Sequence, residues 1–215
     1  MSEEFDLSWL DLREPFDAFA RSEALAAALI ARLPARPRLI DLGAGTGSLL
    51  RWLAPRIGRA QVWTLVDSSR EMAEAAFDTF ADRAELMGYK VTAPCKRTLL
   101  VHAPGGAWRI EALIADLAES PANLPLQAAD AVVSSALCDL VSRAWLERMA
   151  AALRGTAGRF LTELVLGHAE AAGRQDRRGD TRIEAWMDAR LDQVAGKRLA
   201  ARIGHRDVLA LPGRR

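Results

Sequence analysis

The sequence predicts an α/β protein organised around a doubly wound, mostly parallel sheet. Three observations predict it. The run Leu39-Ile40-Asp41-Leu42 stops at Gly43, Gly45 and Gly47, and a helical pattern (Leu49, Leu50, Leu53) follows at once. Short apolar runs then alternate with helical stretches, as in chained βαβ units. Acids close two of the later strand-like runs, at Asp67 and Asp116.

With 215 residues, the chain has room for one α/β domain and a sizeable core. It is 50% hydrophobic and 27% charged, and a net charge of +1 gives bulk electrostatics no hold on nucleic acid or a membrane surface. The expected partner is a small molecule, and nothing here sets an oligomeric state. Cys95 and Cys138 are too few and too far apart for a disulfide framework or a metal knuckle, so no metal is expected. Met1 to Asp11 is acidic and unlike a signal peptide, and no run reaches the roughly 18 apolar residues of a membrane span. A soluble, cytoplasmic protein is expected.

Taken in order, residues 5–33 place Trp9, Leu12, Phe16, Phe19 and Ala20, then Leu25, Ala28, Leu29 and Leu33, close to a helical period. Pro15 predicts a break or a new first turn. Ser22 before Glu23 predicts a cap. Pro34 and Pro37 lead into the first strand. After the glycine turn, a short helix over 48–54 is expected to end near Pro55 and Gly58. Val62 to Val66 reads as a second strand. Ser68 or Ser69 can cap the next helix, with Met72, Ala75, Ala76, Phe80 and Leu86 on one side. Residues 89–117 are β-like: Thr98 to His102 and Trp108 to Ile114 flank a glycine-containing hairpin loop, Ala103 to Ala107. Asp130 to Leu137 reads as a buried strand, Ser142 to Leu153 as a helix, and Gly158 to Leu166 as a fifth strand.

The glycine spacing carries chemistry. Each glycine admits a positive φ or the close approach of a ligand, and the unpaired N–H groups of the following helix face whatever sits above the strand end. A dinucleotide fingerprint would place its third glycine at position 48, which is Ser48. Asp41, two residues before the first glycine, would oppose a pyrophosphate but tolerates an ammonium or sulfonium. Both features disfavour an NAD-dependent oxidoreductase. Asp67, at the end of the second strand, suits a ribose diol.

Together, Leu39 to Gly47, Leu65-Val66-Asp67, Ala115-Asp116-Leu117 and Asp130 to Leu140 resemble class I S-adenosylmethionine-dependent methyltransferases over roughly residues 38–166. The resemblance implies a Rossmann-like methyltransferase fold with S-adenosylmethionine as cofactor. It implies that Gly43, Ala44, Gly45 and Gly47 line the cofactor's amino-acid portion, with Asp41 nearby. Asp67 would hold the ribose, and Ser68 to Met72 would pack on the adenine. Asp116 would accept the exocyclic amine, with the Leu117 N–H near the ring. Ser134 to Leu137 would pass under the methionine part and face the acceptor.

Methyl transfer from a sulfonium needs proximity and a dry pocket more than a base. Asp139 is a candidate base, with a cap or surface acid as its commoner reading. His102, His168 and His205 are isolated and read as non-catalytic. Arg13 and Arg21, in helices that could lid the site, either reach a cofactor carboxylate or stand solvated, the commoner fate. No Asn-Pro-Pro-Tyr-type acceptor signature follows the fourth strand.

These readings divide the chain into an N-terminal helical lid (1–37), a cofactor-binding core (38–166) and an arginine-rich segment (167–215), part helical or disordered. The last shows one helical pattern, Ile183, Trp186, Met187, Leu191 and Val194. It does not read as the antiparallel hairpin that usually completes this fold. The segment is therefore expected to be atypical, through truncation or a shifted frame, with activity compromised. A non-catalytic binder of the same nucleoside is the alternative.

Overall fold

The strand leading into the glycine turn stands inside the sheet, with a parallel neighbour on each side. The structure, a computed structural model, describes residues 7–137, 140–154 and 161–163. In chain order these form α1 (Leu7–Ala20), α2 (Glu23–Ile30), β1 (Arg38–Leu42), α3 (Ser48–Ile57), β2 (Gln61–Asp67), α4 (Arg70–Leu86), β3 (Lys90–Cys95), β4 (Thr98–Ala103), β5 (Gly106–Ile114), β6 (Ala131–Ser134), α5 (Arg143–Arg154) and β7 (Leu161–Glu163). Among the described residues the sheet has 7 strands, in the order β3-β4-β5-β2-β1-β6-β7. Every pairing from β5 to β7 is parallel, and β4 runs antiparallel to both β3 and β5. The chain moves outward from β1 to β2 on one side and later returns to β6 on the other. The β1/β6 boundary is therefore a topological switch point, where ligands of open α/β sheets bind.

Alternation along β1 builds the two layers. Leu39 joins a cluster with Leu29 of α2, Leu50 and Leu53 of α3 and Phe80 of α4. Ile40 and Leu42 join Trp145, Met149 and Leu153 of α5 on the opposite face. Period-two burial in a central strand thus sends α2, α3 and α4 to one face and α5 to the other. Deep in the first layer, Trp63 donates to Gln61 Oε1 at 2.7 Å and Gln61 Nε2 donates to Ala54 O at 2.9 Å, so the polar edges of two buried side chains satisfy each other.

Several elements depart from expectation. Pro15 does not break α1, which runs continuously to Ala20. Pro15 and Asp11, whose carbonyl loses its donor, are both exposed, so water can serve the freed oxygen. The outward face of α1 is also inverted: Leu12, Phe16 and Phe19 are 64%, 72% and 81% exposed, and charged residues point to the core instead. Helix α3 passes Pro55 and ends at Gly58, whose left-handed cap returns its N–H to Ala54 O at 3.1 Å. In α4 the inward row is Met72, Ala76, Phe80 and Ala84, and Leu86, far off that row, is 88% exposed.

The β-like stretch holds a third strand, β3, an edge strand that tolerates Pro94 where its pairing becomes irregular. The hairpin loop shrinks to Pro104-Gly105, with Ala103 paired to Gly106. A Cβ on Gly105 would stand 1.9 Å from Gly58 O, so the backbones meet where no side chain fits. Strand β6 ends at Ser134, three residues before the expected Leu137. The expectations for 167–215 and for Asp139 and Cys138 lie outside the described residues. Among the described residues, no helix is long and apolar enough to cross a membrane.

Candidate functional site

Above the carboxyl ends of β1, β2 and β6 lies a cleft of about 860 Å³, a volume suited to a small-molecule site. Its floor is the glycine turn. Gly43, Gly45 and Gly47 have φ of 63°, 51° and 79°, all in the left-handed region. The turn is tied to β2 by Ala44 N–H donating to Val66 O at 3.0 Å, and closes on itself through Gly47 N–H to Ala44 O at 2.8 Å. At Gly47 a side chain would also crowd α4, because its Cβ would stand 3.2 Å from Ala76 Cβ. The turn is therefore pinned from both neighbouring elements.

Asp67 joins the turn to the start of α4. One carboxylate oxygen accepts the Gly45 N–H at 2.8 Å and the other the Ser69 N–H at 2.9 Å. Ser69 in turn caps α4, accepting the Met72 N–H at 3.2 Å. An ionised carboxylate has about four acceptor positions, so each oxygen keeps capacity toward the cleft. Asp41 is 1% exposed and lines the cleft from the α3 side of β1.

Of the residues singled out from the sequence, Asp41, Gly43, Ala44, Gly45, Asp67, Ser68 and Met72 line the cleft, and Gly47, Asp116, Leu117 and Ser134 do not. Gly47 lies one step inside, as the cap of α3. Ser134 is held within the sheet, opposite Leu42 and Glu163. Asp116 is exposed and accepts the Ala118 N–H at 2.8 Å, capping the short turn Leu117–Glu119. Leu117 stays closer, with Cδ1 4.0 Å from where a Gly43 Cβ would stand and its carbonyl accepting the Trp145 indole N–H at 2.6 Å.

Another wall of the cleft is formed by Ser135, Ala136 and Leu137, where the chain leaves β6. Ala136 has φ of 57°, a left-handed conformation that costs a residue with a Cβ on the order of 1 kcal/mol or more. Leu137 fills the space over Gly43, 3.2 Å from an ideal Cβ there.

The α1 side of the cleft is the least legible from the sequence. The inward face of α1 contributes Arg13, Asp17 and, just past its end, Arg21. Glu14 takes the same face and binds Arg51 of α3, with Arg51 Nε 2.9 Å from Oε1; a second guanidinium nitrogen meets Oε2 and the third meets Thr46 O. Burial on its own would raise the Glu14 pKa, but the hydrogen bond and charge of Arg51 outweigh it and hold the value below the ordinary one. Arg21 is not solvated: it is 4% exposed, and donates to Ser48 O at 3.2 Å, Ser48 Oγ at 2.7 Å and Ser135 Oγ at 3.3 Å. Burial lowers its pKa, opposed by the nearby acids Asp17, Asp41 and Glu14. A signal for this face exists in the sequence. Arg13, Glu14, Asp17 and Arg21 recur at helical spacing, but a charged stripe ordinarily reads as the solvated side.

The sheet order and the cleft at its switch point define the fold. The chain has the fold of S-adenosylmethionine-dependent methyltransferases. It is similar to a SAM-dependent methyltransferase from Aquifex aeolicus, with a TM-score of 0.51 and 14% identity, covering 89% of this chain and 88% of that one. It is also similar to the plantazolicin methyltransferase BpumL in complex with SAH, with a TM-score of 0.50 and 14% identity, covering 89% and 68%. No family model matches the chain. Over 56 residues it is 48% identical to the biotin biosynthesis bifunctional protein BioCD of Bordetella avium, a match spanning 26% of this chain and 12% of that protein.

Proposed function

We propose that this protein is a methyltransferase that takes S-adenosylmethionine as cofactor and methylates a small-molecule acceptor. The observation that carries the reading is the Asp67 carboxylate, bridged between the glycine turn and the start of α4 at the rim of the cleft. That position offers two oxygens to a ribose diol. The donor set suits the cofactor's charge as well. Asp41 tolerates an ammonium or sulfonium where a pyrophosphate would be repelled, and the buried Arg21 suits a carboxylate.

In this reading the turn from Gly43 to Gly47 lines the amino-acid portion and Ser68 and Met72 pack against the adenine. Asp116 accepts from the exocyclic amine at the rim, and the Leu117 N–H lies near the ring. The cofactor supplies an electrophilic methyl group on a sulfonium. The chain supplies proximity and exclusion of water: Leu137 and Leu10 wall the cleft, and Ser135 and Ala136 face the acceptor. The match to a biotin biosynthesis protein supports a small-molecule acceptor, and a cytoplasmic setting is consistent with this chemistry.

Calorimetry with S-adenosylhomocysteine is the direct test. Binding by the full chain, weakened in Asp67→Ala, is expected; a flat titration with folded wild-type protein removes the cofactor assignment. A screen with radiolabelled S-adenosylmethionine and pooled small-molecule acceptors then separates an enzyme from a non-catalytic binder.

A further inference from the structure

Helix α1 reaches the glycine turn by a route that does not cross the cleft. Arg51 of α3 stands where the two meet. Its Nε donates to Glu14 Oε1 at 2.9 Å, one Nη donates to Glu14 Oε2, and the other donates to the Thr46 carbonyl inside the turn. The Arg51 side chain is 2% exposed, and Thr46 is buried. Gly47 leaves room for the guanidinium, since a Cβ there would stand 3.6 Å from Arg51 Nη1. The peptide between Thr46 and Gly47 is held at both ends: its N–H donates to Ala44 O at 2.8 Å, and its oxygen accepts from the arginine. Neither Glu14 nor Arg51 lines the cleft.

We infer that Glu14 is a positioning residue of the cleft, acting through Arg51 on the carbonyl of Thr46. This role rests on the cofactor reading above and deepens it: a group that touches no ligand sets the shape of the turn that receives one. The reason lies in the fork. A bidentate carboxylate fixes both the place and the plane of a guanidinium, and so aims its third nitrogen at Thr46 O. Without Glu14 the buried charge has no counter-charge in the fork, burial favours its withdrawal toward water, and the carbonyl loses its donor. A turn built on three left-handed glycines has little stiffness of its own, so a donor from outside it decides whether it keeps its shape. Coupling is reciprocal, and a ligand that orders the turn therefore tightens the hold on α1. The Glu23–Arg56 pair provides a control. It also joins a helix preceding β1 to α3, but the remaining Arg56 nitrogen donates to Trp52 O within α3.

Hydrogen exchange and calorimetry on the full chain test this role in wild type, Glu14→Gln, Arg51→Met, their double variant and Glu23→Gln. Without ligand, the Gly47 N–H should exchange faster in Glu14→Gln and Arg51→Met, measured relative to the amides of β2, and stay as in wild type in Glu23→Gln. General destabilisation would move both sets of amides together and overturn the inference. S-adenosylhomocysteine should bind the two single variants roughly 2- to 30-fold more weakly, the range exerted by residues outside a ligand site. The double variant should bind no more weakly than Arg51→Met, because one residue acts through the other. The ligand should also slow exchange across α1 in wild type, and Arg51→Met should lose most of that slowing. Unchanged affinity in both single variants would overturn the inference, and so would losses that add in the double variant or are matched by Glu23→Gln; in each case the cofactor reading stands. If folded wild type does not bind S-adenosylhomocysteine, the cofactor reading fails by itself, and exchange at Gly47 without ligand still decides whether Glu14 positions the turn. Should Arg51→Met not fold, Glu14→Gln, which keeps the shape of the side chain, carries the comparison.

Discussion

Asp67 and Asp116 occupy the same place in the sequence pattern, an acid closing a strand that runs toward one end of the sheet, and the structure treats them oppositely. Asp67 is half-buried, and both of its oxygens hold backbone N–H groups of two different elements. Asp116 is exposed, and one of its oxygens caps a turn made by its own next residues. The difference comes from strand order. β2 lies beside β1, so its acid reaches the glycine turn, whereas β5 lies one strand further out and its acid finds Ala118. Asp67 therefore holds the turn itself, whereas Asp116 stands at the exposed edge, where solvent weakens any contact it makes to a ligand.

The largest effect is expected where α1 is anchored to α3, beside the glycine turn that Asp67 holds. Glu14→Ala leaves Arg51, with a side chain 2% exposed, without its carboxylate. A loss of about 3 kcal/mol in unfolding free energy is expected, measured by denaturant melts. The pair also predicts a pH profile. The folded-state pKa of Glu14 lies below its ordinary value of 4.5, so its contribution is present above that value and fades as pH falls through the folded-state value. Wild type should therefore lose more stability than Glu14→Ala in acid, and parallel profiles would contradict the pairing.

Next in size, Asp67→Ala should weaken S-adenosylhomocysteine roughly 10- to 100-fold. Asp116→Ala should change it by no more than about threefold, since a partly solvated hydrogen bond contributes little. Similar losses in the two variants would erase the distinction between the acids. The smallest effect is expected from Glu23→Ala. Its pair with Arg56 at 2.6 Å joins α2 to α3, but the two side chains are 68% and 37% exposed. The hydrogen bond from Arg56 lowers the Glu23 pKa, yet solvent screening should keep the stability change under about 1 kcal/mol by thermal melt.

Some elements were legible because local chemistry decides them. Gly43, Gly45 and Gly47 announce a turn that needs positive φ, Ser22 and the pair Ser68-Ser69 announce caps, and Val62 to Val66 announces a strand. Local chemistry could not decide Pro15, where exposure of the freed carbonyl permits a continuous helix. Nor could it decide β3, because Pro94 speaks against a strand unless that strand lies at an edge. Leu86 failed for a simpler reason: its row on α4 is out of phase with Met72, Ala76 and Phe80, and only packing against the sheet shows which row is inward.

Sequence alone therefore determined the alternation of strands and helices, the glycine turn, and an acid ready at the end of β2. These depend on neighbours along the chain: periodicity, capping and φ. The tertiary structure decided which strand ends meet at one cleft, and which face of α1 looks inward. It turned the charged stripe of α1 toward the cleft and left Leu12, Phe16 and Phe19 outside, because Arg51 and the cleft provide partners for charge. A buried Arg21 cannot be read from spacing, since its partners, Ser48 and Ser135, lie 27 and 114 residues away.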